Sequence, residues 1–304
     1  MTAFILSGDC GGTKSTFVTL DEETGSLRKT VTLGPANVIA DPIGSIEVIK
    51  SGVLRLLAEE NQPCAGIVLG IAGLATAGIQ EALSRELAVV DGPIYLIDDA
   101  LLALYGKLAG KDGVLLIAGT GSIAYARYQG SFTRAGGFGH LLGDEGSGYW
   151  IGKQGFLQVC KAADSPHKFF GLANELMVKE NSADLYEVIR KFYTLSKAEI
   201  AAYAPLVANS ATAEAEAILR QAAEYLAQLV LNLQEKAGLP EGLPLVFSGS
   251  VLTKNPVVRQ RVTELLGTTF DTLPVTEEGI LQGAFHYFNE QKLKKTDSGK
   301  KDLK

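Results

Sequence analysis

The sequence predicts an α/β protein in which one βββαβαβα unit occurs twice and forms two lobes that face a cleft. The length of 304 residues exceeds the roughly 100–200 residues of one domain and favours two. Apolar residues recur with the period of strands in some segments and of helices in others. A strand, a glycine turn and a second strand open the chain, and this opening recurs from Gly113. In layered architectures of this kind the cleft is the usual ligand site.

The first copy, predicted to form a lobe over residues 1–112, begins with three consecutive strands. β-Branched and apolar residues mark these strands, and the helices that follow carry apolar residues three and four positions apart. The predicted strands lie at 3–7, 16–20, 27–33, 66–71 and 94–97, and the predicted helices at 43–59, 78–87 and 100–108.

The second copy, predicted over residues 113–291, carries a helical insertion at 153–238. The clearest helix of the insertion, 212–237, ends at Gly238 and Pro240. The final helix, at 277–291, is a candidate to pack back on the first lobe, and the lysine-rich tail 292–304 is expected to be disordered. The other predicted elements are strands at 114–118, 123–128, near Phe132, at 244–247 and near Thr272, and helices from about Ser147 and after Pro256.

Composition excludes several classes of protein. The net charge of −6 argues against a nucleic-acid partner, and six of the lysines lie in the tail. The isolated cysteines Cys10, Cys64 and Cys160 indicate a reducing compartment. The first residues lack a basic region and a long apolar run, and no stretch approaches the roughly 18 apolar residues of a membrane span. We therefore expect a cytoplasmic protein with no membrane partner.

The first glycine turn spans residues 8–15 and fits neither common nucleotide loop. A P-loop needs glycine directly before the lysine, where Thr13 stands, and a dinucleotide fingerprint needs a helix where a strand follows. One interpretation is a hairpin turn whose glycines need positive φ. The turn also holds an acid, a lysine and two hydroxyls, which is more side-chain chemistry than a turn requires.

A second turn, 118–122, stands at the equivalent point of the second copy, and together the two turns predict a polyphosphate site. Backbone amides at the glycines, with nearby hydroxyls, would enclose the phosphates from two sides. Asp9 would bind the accompanying Mg²⁺, because Mg²⁺ prefers few carboxylates and several waters. The predicted phosphate-binding residues are Gly11, Gly12, Thr13, Lys14, Ser15, Gly119, Thr120, Gly121 and Ser122.

A third glycine site, at Gly249 and Ser250, follows a buried strand of the second copy. Its glycine would let a flat base approach the backbone. An ordinary strand-to-helix turn is the alternative.

These three sites, with the glycine-rich segment 136–150, resemble the motifs of the actin/Hsp70/sugar-kinase superfamily. Segment 136–150 is similar to the signature of the N-acetylglucosamine kinase branch of the BadF/BadG/BcrA/BcrD ATPase family. The resemblance implies two ribonuclease H-like lobes, ATP and Mg²⁺ as cofactors, and an adenosine loop at Gly249 and Ser250. It also implies phosphorylation of an amino sugar, at the 6-hydroxyl of N-acetylglucosamine or of a relative such as N-acetylmuramic acid or glucosamine.

The resemblance also assigns roles to individual side chains. Asp99, which ends an apolar strand where a helix begins, aligns with the catalytic base and would also contact the sugar; Asp98 is held in reserve, and either acid could instead cap the helix. Asp144 would bond sugar hydroxyls, or it could cap the helix that follows. Gly137 and Phe138 would contact the sugar. Asn37 would bind the sugar or serve as an ordinary turn residue.

Other residues and other functions complete the expectations. His140 is interpreted as structural, and no His/Cys cluster has the spacing of a zinc site. The alternative functions are an ATPase that activates a partner protein and a non-catalytic sugar sensor. The related activators hold an iron–sulfur cluster through grouped cysteines, which this chain lacks. Apolar surface on the insertion favours a homodimer, and a hinge is expected near 111–113.

Overall fold

The computed structural model describes residues 2–165, 171–275 and 279–301, which form two compact units. The first consists of Met1–Lys111 and Thr276–Lys304, and the second of Asp112–Val275. The first segment of this unit thus ends at Lys111, one residue before the predicted boundary at 112. Of the helices in the described ranges, none is long and apolar enough to cross a membrane.

The first unit is built on a five-stranded sheet of order β3-β2-β1-β4-β5. The strand β2 pairs antiparallel with β1 and β3, while β1, β4 and β5 run parallel. Its strands are β1 Phe4–Cys10, β2 Ser15–Asp21, β3 Leu27–Leu33, β4 Cys64–Ile71 and β5 Ile94–Asp98. Its helices are α1 Pro42–Glu59, α2 Leu74–Ala77, α3 Gln80–Glu86, α4 Asp99–Lys107 and α13 Gly283–Lys301.

Each face of this sheet is covered by helices, because its parallel strands are apolar on both sides. One face, which includes Phe17 and Leu69, packs in a core with Ile49 and Val53 of α1. The other face packs against α4 and α13, where Phe288 of α13 is buried.

The second unit repeats the same sheet, in the order β10-β9-β6-β7-β8. The 25-residue helix α10 packs across its strands and against α12, and supplies much of a single large core. The strands are β6 Gly113–Ala118, β7 Ser122–Tyr128, β8 Ser131–Gly136, β9 Leu243–Ser248 and β10 Phe270–Thr272. The helices are α5 Gly148–Ala163, α6 Leu172–Glu180, α7 Leu185–Phe192, α8 Lys197–Ala201, α9 Ala204–Asn209, α10 Ala213–Ala237, α11 Ser250–Lys254 and α12 Pro256–Leu266.

Three predictions about elements need correction. The helix predicted at 78–87 is α3 Gln80–Glu86, and the short helix α2 Leu74–Ala77, which was not predicted, precedes it between Gly73 and Gly78, both of which adopt positive φ. The last helix belongs to the first unit and packs on it, as the candidate packing on the first lobe required, although the predicted second lobe ran to residue 291. Its helical conformation continues to Lys301, whereas the sequence predicted a disordered tail from residue 292. Residues 166–170 of the insertion, the predicted helix start at Glu277 and tail residues 302–304 lie outside the described residues.

Candidate functional site

The carboxyl edge of the parallel strands in the first unit brings two acids to the same region. Asp9 of β1 is level with Thr16 of β2 and with Gly70 of β4. A Cβ on Gly70 would lie 2.7 Å from Cβ of Leu102 and 3.2 Å from Cα of Asp99. The absence of a side chain at Gly70 therefore lets the start of α4, with Asp99, approach the sheet beside Asp9.

Asp99 is the first residue of α4, and its Oδ1 accepts a hydrogen bond of 2.9 Å from the amide of Ala100. Asp98 occupies the N-cap position, yet within the described chain its side chain makes no capping hydrogen bond. The interpretation of either acid as a conventional side-chain cap is therefore wrong. A half-buried carboxylate that does not cap its helix is free for other chemistry.

The electrostatics of this edge raise the pKa values of both carboxyl groups. Burial, and then the negative charge of Asp99, raise the pKa of Asp9 to about 6, while Lys14 opposes the shift. Burial, and more weakly Asp98, also raise the pKa of Asp99 against the hydrogen bond from Ala100. A shifted carboxyl pair of this kind indicates a functional site.

The turn between β1 and β2 presents its residues to solvent. The amide of Gly11 donates to the carbonyl of Lys14 over 3.1 Å, and Gly12, Thr13 and Lys14 are exposed. Neither glycine has positive φ, so the interpretation that backbone conformation demands them is wrong. The glycines leave the backbone of the turn uncovered, which suits the approach of a ligand.

Asn37 lies beside this turn, because the amide of Ala36 donates to the carbonyl of Gly11 over 2.9 Å. A Cβ on Gly12 would stand 3.9 Å from Nδ2 of Asn37. Oδ1 of Asn37 accepts from the amide of Ala40 at 3.1 Å. The side-chain oxygen of Asn37 thus stabilises a turn, while its Nδ2 lies toward Gly12.

The structure places Ser15 differently from the prediction. Ser15 pairs with Cys10 and is fully buried, and its hydroxyl has no hydrogen-bond partner among the described residues. Alternation along β2 puts it on the face opposite Asp9, so it does not face a phosphate in this conformation. Thr16, which pairs with Asp9 and is half-buried, holds the hydroxyl on the functional face. The period of two along the strand was the signal that could have identified it.

In the second unit, two glycine loops more than a hundred residues apart in sequence meet at the ends of β6 and β9. A Cβ on Gly119 would lie 3.8 Å from Cα of Gly249. A Cβ on Gly249 would lie 2.4 Å from the carbonyl oxygen of Ala118, and Gly249 has a φ of +83°. Only glycine fits at position 249. This residue both forms the turn from strand to helix and allows a close approach to the backbone, so the two interpretations of the site are compatible.

These loops line a pocket of about 470 Å³, within the range of small-molecule sites. Thr120 and Ser250 are exposed at its lining, and alanines of the insertion, among them Ala201 and Ala208, form another part of the wall. The pocket is therefore apolar on one side and polar on the other.

Asp144 and Ser122 do not present their polar groups as predicted. Asp144 is buried; its Oδ1 accepts from the amide of Ser122 at 3.2 Å, and its Oδ2 binds Nζ of Lys197 at 2.7 Å. The hydroxyl of Ser122, also buried, donates to the carbonyl of Glu145 over 2.8 Å. Ser147, not Asp144, caps α5. The prediction that the Ser122 hydroxyl faces phosphate is corrected: it ties the β6–β7 turn to the segment behind it.

The loop that follows β8 exposes an aromatic ring. Phe138 has 66% of its surface exposed, and Gly137 beside it has positive φ. Phe138 lines a second pocket of about 560 Å³ with Glu145 and Tyr225. The ring of His140 packs edge-on against Tyr149, with centroids 4.8 Å apart, as a structural histidine would.

Comparison with known proteins identifies the family. The model of the BadF/BadG/BcrA/BcrD ATPase family matches residues 9–278. The chain belongs to this family. The resemblance stated from the sequence motifs is thereby confirmed.

Two curated relatives of this BadF/BadG/BcrA/BcrD family member carry sugar-kinase names. An N-acetylmuramic acid/N-acetylglucosamine kinase of Clostridium acetobutylicum is 33% identical over 170 residues, which are 53% of this chain and 55% of the relative. An N-acetyl-D-glucosamine kinase of Dictyostelium discoideum is 32% identical over 194 residues, 57% of this chain and 61% of the relative. The matched region thus spans just over half of each relative's length.

A solved structure from Chromobacterium violaceum, described as that of a candidate N-acetylglucosamine kinase, has the same fold. Its TM-score is 0.74 at 23% identity, and the alignment covers 93% of this chain and 98% of that one. The predicted α/β fold with two duplicated lobes is confirmed for this BadF/BadG/BcrA/BcrD family member.

Asp9 is the carboxylate that the sequence predicted as a ligand for Mg²⁺. Among the described residues, no group of three or more His, Cys, Asp or Glu side chains could hold a metal ion. Mg²⁺ keeps several waters and binds through one or two carboxylates, and Asp9 can provide one of them. A bound cation would also offset the repulsion that raises the pKa of Asp9.

Proposed function

We propose that the protein phosphorylates an amino sugar with ATP. The acceptor is the 6-hydroxyl of N-acetylglucosamine or of a relative such as N-acetylmuramic acid or glucosamine. Membership of the family and the names of both curated relatives support this substrate class.

The observation that carries the proposal is the Asp99 carboxylate at the start of α4. It is half-buried, its pKa is raised, and within the described ranges no cation lies within ion-pair distance of it. A carboxylate whose pKa lies closer to neutral is a better proton acceptor at physiological pH. In the proposed reaction Asp99 accepts the proton of the sugar hydroxyl as the oxygen attacks the γ-phosphorus, and the bond from that phosphorus to the β,γ-bridging oxygen breaks to release ADP.

The second unit is the proposed nucleotide holder. Its 470 Å³ pocket offers alanine side chains to an adenine ring and exposed hydroxyls at Thr120 and Ser250. Phosphoryl transfer depends mainly on positioning and charge neutralisation, which glycine turns and a lysine supply. Lys14 and Thr13, exposed in the first turn, are the proposed contacts to the transferred phosphate.

Asp9 is the proposed ligand for Mg²⁺, partly through water. The ion, when bound, neutralises phosphate charge and orients the phosphate oxygens. The Asp9 carboxylate must be ionised for this role, and with a pKa of about 6 it is ionised at neutral pH.

The sugar contacts are proposed from exposure and side-chain chemistry. Phe138 offers an exposed ring for one face of the sugar, Gly137 beside it is a proposed contact through its backbone, and Nδ2 of Asn37 is a donor for a hydroxyl. Asp144 stays a proposed sugar ligand only if it exchanges one of its two present partners.

ADP release measured over a panel of sugars tests the proposal. We expect release with Mg·ATP to depend on N-acetylglucosamine, N-acetylmuramic acid or glucosamine and to be slow with glucose. Release without sugar would instead favour an ATPase that acts on a partner protein, and no release with any sugar would favour a sensor. That the protein forms a homodimer also stays a prediction. Light scattering, which measures its mass in solution, would test it.

A further inference from the structure

The ion pair between Asp144 and Lys197 joins the helical insertion to the β6–β7 turn. The carboxylate is almost fully buried, with 4% of its side chain exposed, while Lys197 is 33% exposed. Because Oδ1 of Asp144 accepts from the amide of Ser122, the same carboxylate holds the residue that ends the turn. A Cβ on Gly121 would stand only 2.9 Å from Oδ1 of Asp144, so the turn lies directly against the ion pair.

The helix α8, which begins at Lys197, also lies against the nucleotide pocket. Ser196 and Glu199 form a capping box that fixes its start. Ala198 and Ala201 of this helix line the pocket. A Cβ on Gly152 of α5 would lie 2.1 Å from the carbonyl oxygen of Ile200, so the helices α5 and α8 pack in very close contact. Lys197 therefore projects from a rigid element that already forms the pocket wall.

The helix α5 holds the other side of the turn. The amides of Gly148 and Tyr149 donate to the carbonyls of Gly119 and Thr120, over 2.7 and 3.3 Å. The turn is thus fixed by α5 at its first residues and by the Asp144–Lys197 pair at its last. Removing either support would let the turn amides move relative to a bound phosphate.

We propose that Lys197 is a positioning residue for the nucleotide, which acts through Asp144 to hold the β6–β7 turn in its phosphate-binding conformation. This inference rests on the proposed function for the identity of the ligand. It gives the insertion a role in nucleotide binding. It also gives Asp144 a role on the nucleotide side of the reaction.

The test compares Lys197→Met with a matched ion pair in the same insertion. Lys191 pairs with Glu180, whose side chain is also 4% exposed. The dissociation constant of Mg·AMPPNP is measured without sugar by calorimetry on the full chain. We expect Lys197→Met to raise this dissociation constant about 10-fold, because turn amides that are out of place bind the phosphates more weakly. Lys191→Met should leave the constant within about twofold of its original value.

A conservative variant separates positioning from a general loss of structure. Lys197→Arg keeps the charge and should bind AMPPNP within about threefold of the unmodified protein. Lys197→Met alone leaves the buried charge of Asp144 without an ionic partner, which destabilises the unit. The double variant Asp144→Asn/Lys197→Met removes that unpaired charge; it should unfold at a temperature close to that of the unmodified protein and still bind the nucleotide more weakly.

Kinetics decide between the two roles of Asp144. With Lys197→Met, we expect KM for ATP to rise and KM for the sugar to stay unchanged. An unchanged dissociation constant for AMPPNP, or a rise confined to KM for the sugar, would overturn the inference. Because AMPPNP binding is measured without sugar, it tests Lys197 even if no sugar supports ADP release, an outcome that would overturn the proposed function alone. Failure of the unmodified protein to bind AMPPNP would overturn both.

Discussion

The two glycine turns occupy equivalent places in the duplicated units, yet their neighbouring acids are used differently. Beside the first turn, Asp9 and Asp99 are half-buried, with raised pKa values. Beside the second turn, Asp144 is buried and neutralised by Lys197. The first unit therefore keeps its carboxylates available for chemistry, whereas the second uses its carboxylate to stabilise structure.

The turns themselves differ in the same sense. Residues 12–14 of the first turn are exposed, and the turn is closed by one backbone hydrogen bond from Gly11 to Lys14. The second is additionally held by the amides of α5 and by Asp144. The first turn thus lies beside two acids with raised pKa values, and the second is held by more hydrogen bonds.

The largest expected effect comes from Asp99. Asp99→Asn should lower kcat by about 10²- to 10⁴-fold while AMPPNP binding is nearly unchanged, because the variant cannot accept the proton. Asp98→Asn is the matched control, since it removes a neighbouring charge one residue away and should lower kcat by less than about 10-fold. Full loss with Asp98→Asn and normal turnover with Asp99→Asn would reverse the two assignments.

Replacing one glycine of each turn with alanine, which adds a methyl group, shows how closely each turn is packed. In Gly121→Ala the new Cβ would lie within 2.9–3.1 Å of the Asp144 carboxyl group, whereas in Gly12→Ala its nearest neighbour stands 3.9 Å away. We expect Gly121→Ala to raise KM for ATP about 10-fold and to lower the unfolding temperature by several degrees. Gly12→Ala should change the unfolding temperature by less than about 2 °C. Equal thermal shifts for both would show that the second turn is no more constrained than the first.

The pH profile sharpens the contrast in charge. Because the pKa of Asp9 is raised to about 6, this carboxyl is protonated below that pH and loses its affinity for a cation. We expect kcat/KM for Mg·ATP to fall as the pH drops below about 6, by about 10-fold at pH 5. An acid limb near pH 4, where an ordinary aspartate titrates, would contradict the shifted pKa.

The smallest expected effect is on stability. Asp9 has a folded pKa above its ordinary value of 3.8, so the stability linked to its protonation is present below that value and lost as the pH rises through about 6. Asp9→Asn removes this loss and should stabilise the protein at pH 8 by about 1–2 kcal/mol after allowance for partial exposure. At pH 4 the difference should nearly vanish. Thermal unfolding of both proteins at both pH values measures this difference in stability. If the stability of the variant relative to the unmodified protein is lower at pH 8 than at pH 4, the sign of the effect is opposite to the predicted one.

Local sequence patterns predicted the duplicated sheets and the acids at their edges. Strand and helix periods depend on neighbouring residues, so the restart at Gly113 and the strand that ends at Asp98 are visible without a structure. The last helix extends past residue 291 through a lysine-rich segment whose polarity suggested disorder. There, Lys292 pairs with Glu22 at 3.0 Å, a contact 270 residues apart in sequence that no local pattern reveals.

The polar residues of the turns were less predictable. Ser15 and Ser122 each begin the second strand of a hairpin, where they are buried, while Thr13 and Thr120 lie in the turns and are exposed. Turn composition alone treats all four hydroxyls alike, although strand alternation separates them. The partner of Asp144 could not be identified, because Lys197 lies 53 residues away in an insertion with its own helical pattern.

The most direct test of the account is the chemical fate of the γ-phosphoryl group. Phosphorus NMR of a reaction that contains Mg·ATP and N-acetylglucosamine follows this group directly. The measurement does not assume that ATP consumption is coupled to transfer of the phosphoryl group to the sugar. The account predicts a phosphomonoester whose phosphorus couples to the protons on C6 of the sugar, formed about 10²- to 10⁴-fold more slowly with Asp99→Asn. Formation of inorganic phosphate alone, or a sugar phosphate that Asp99→Asn forms equally fast, would contradict it.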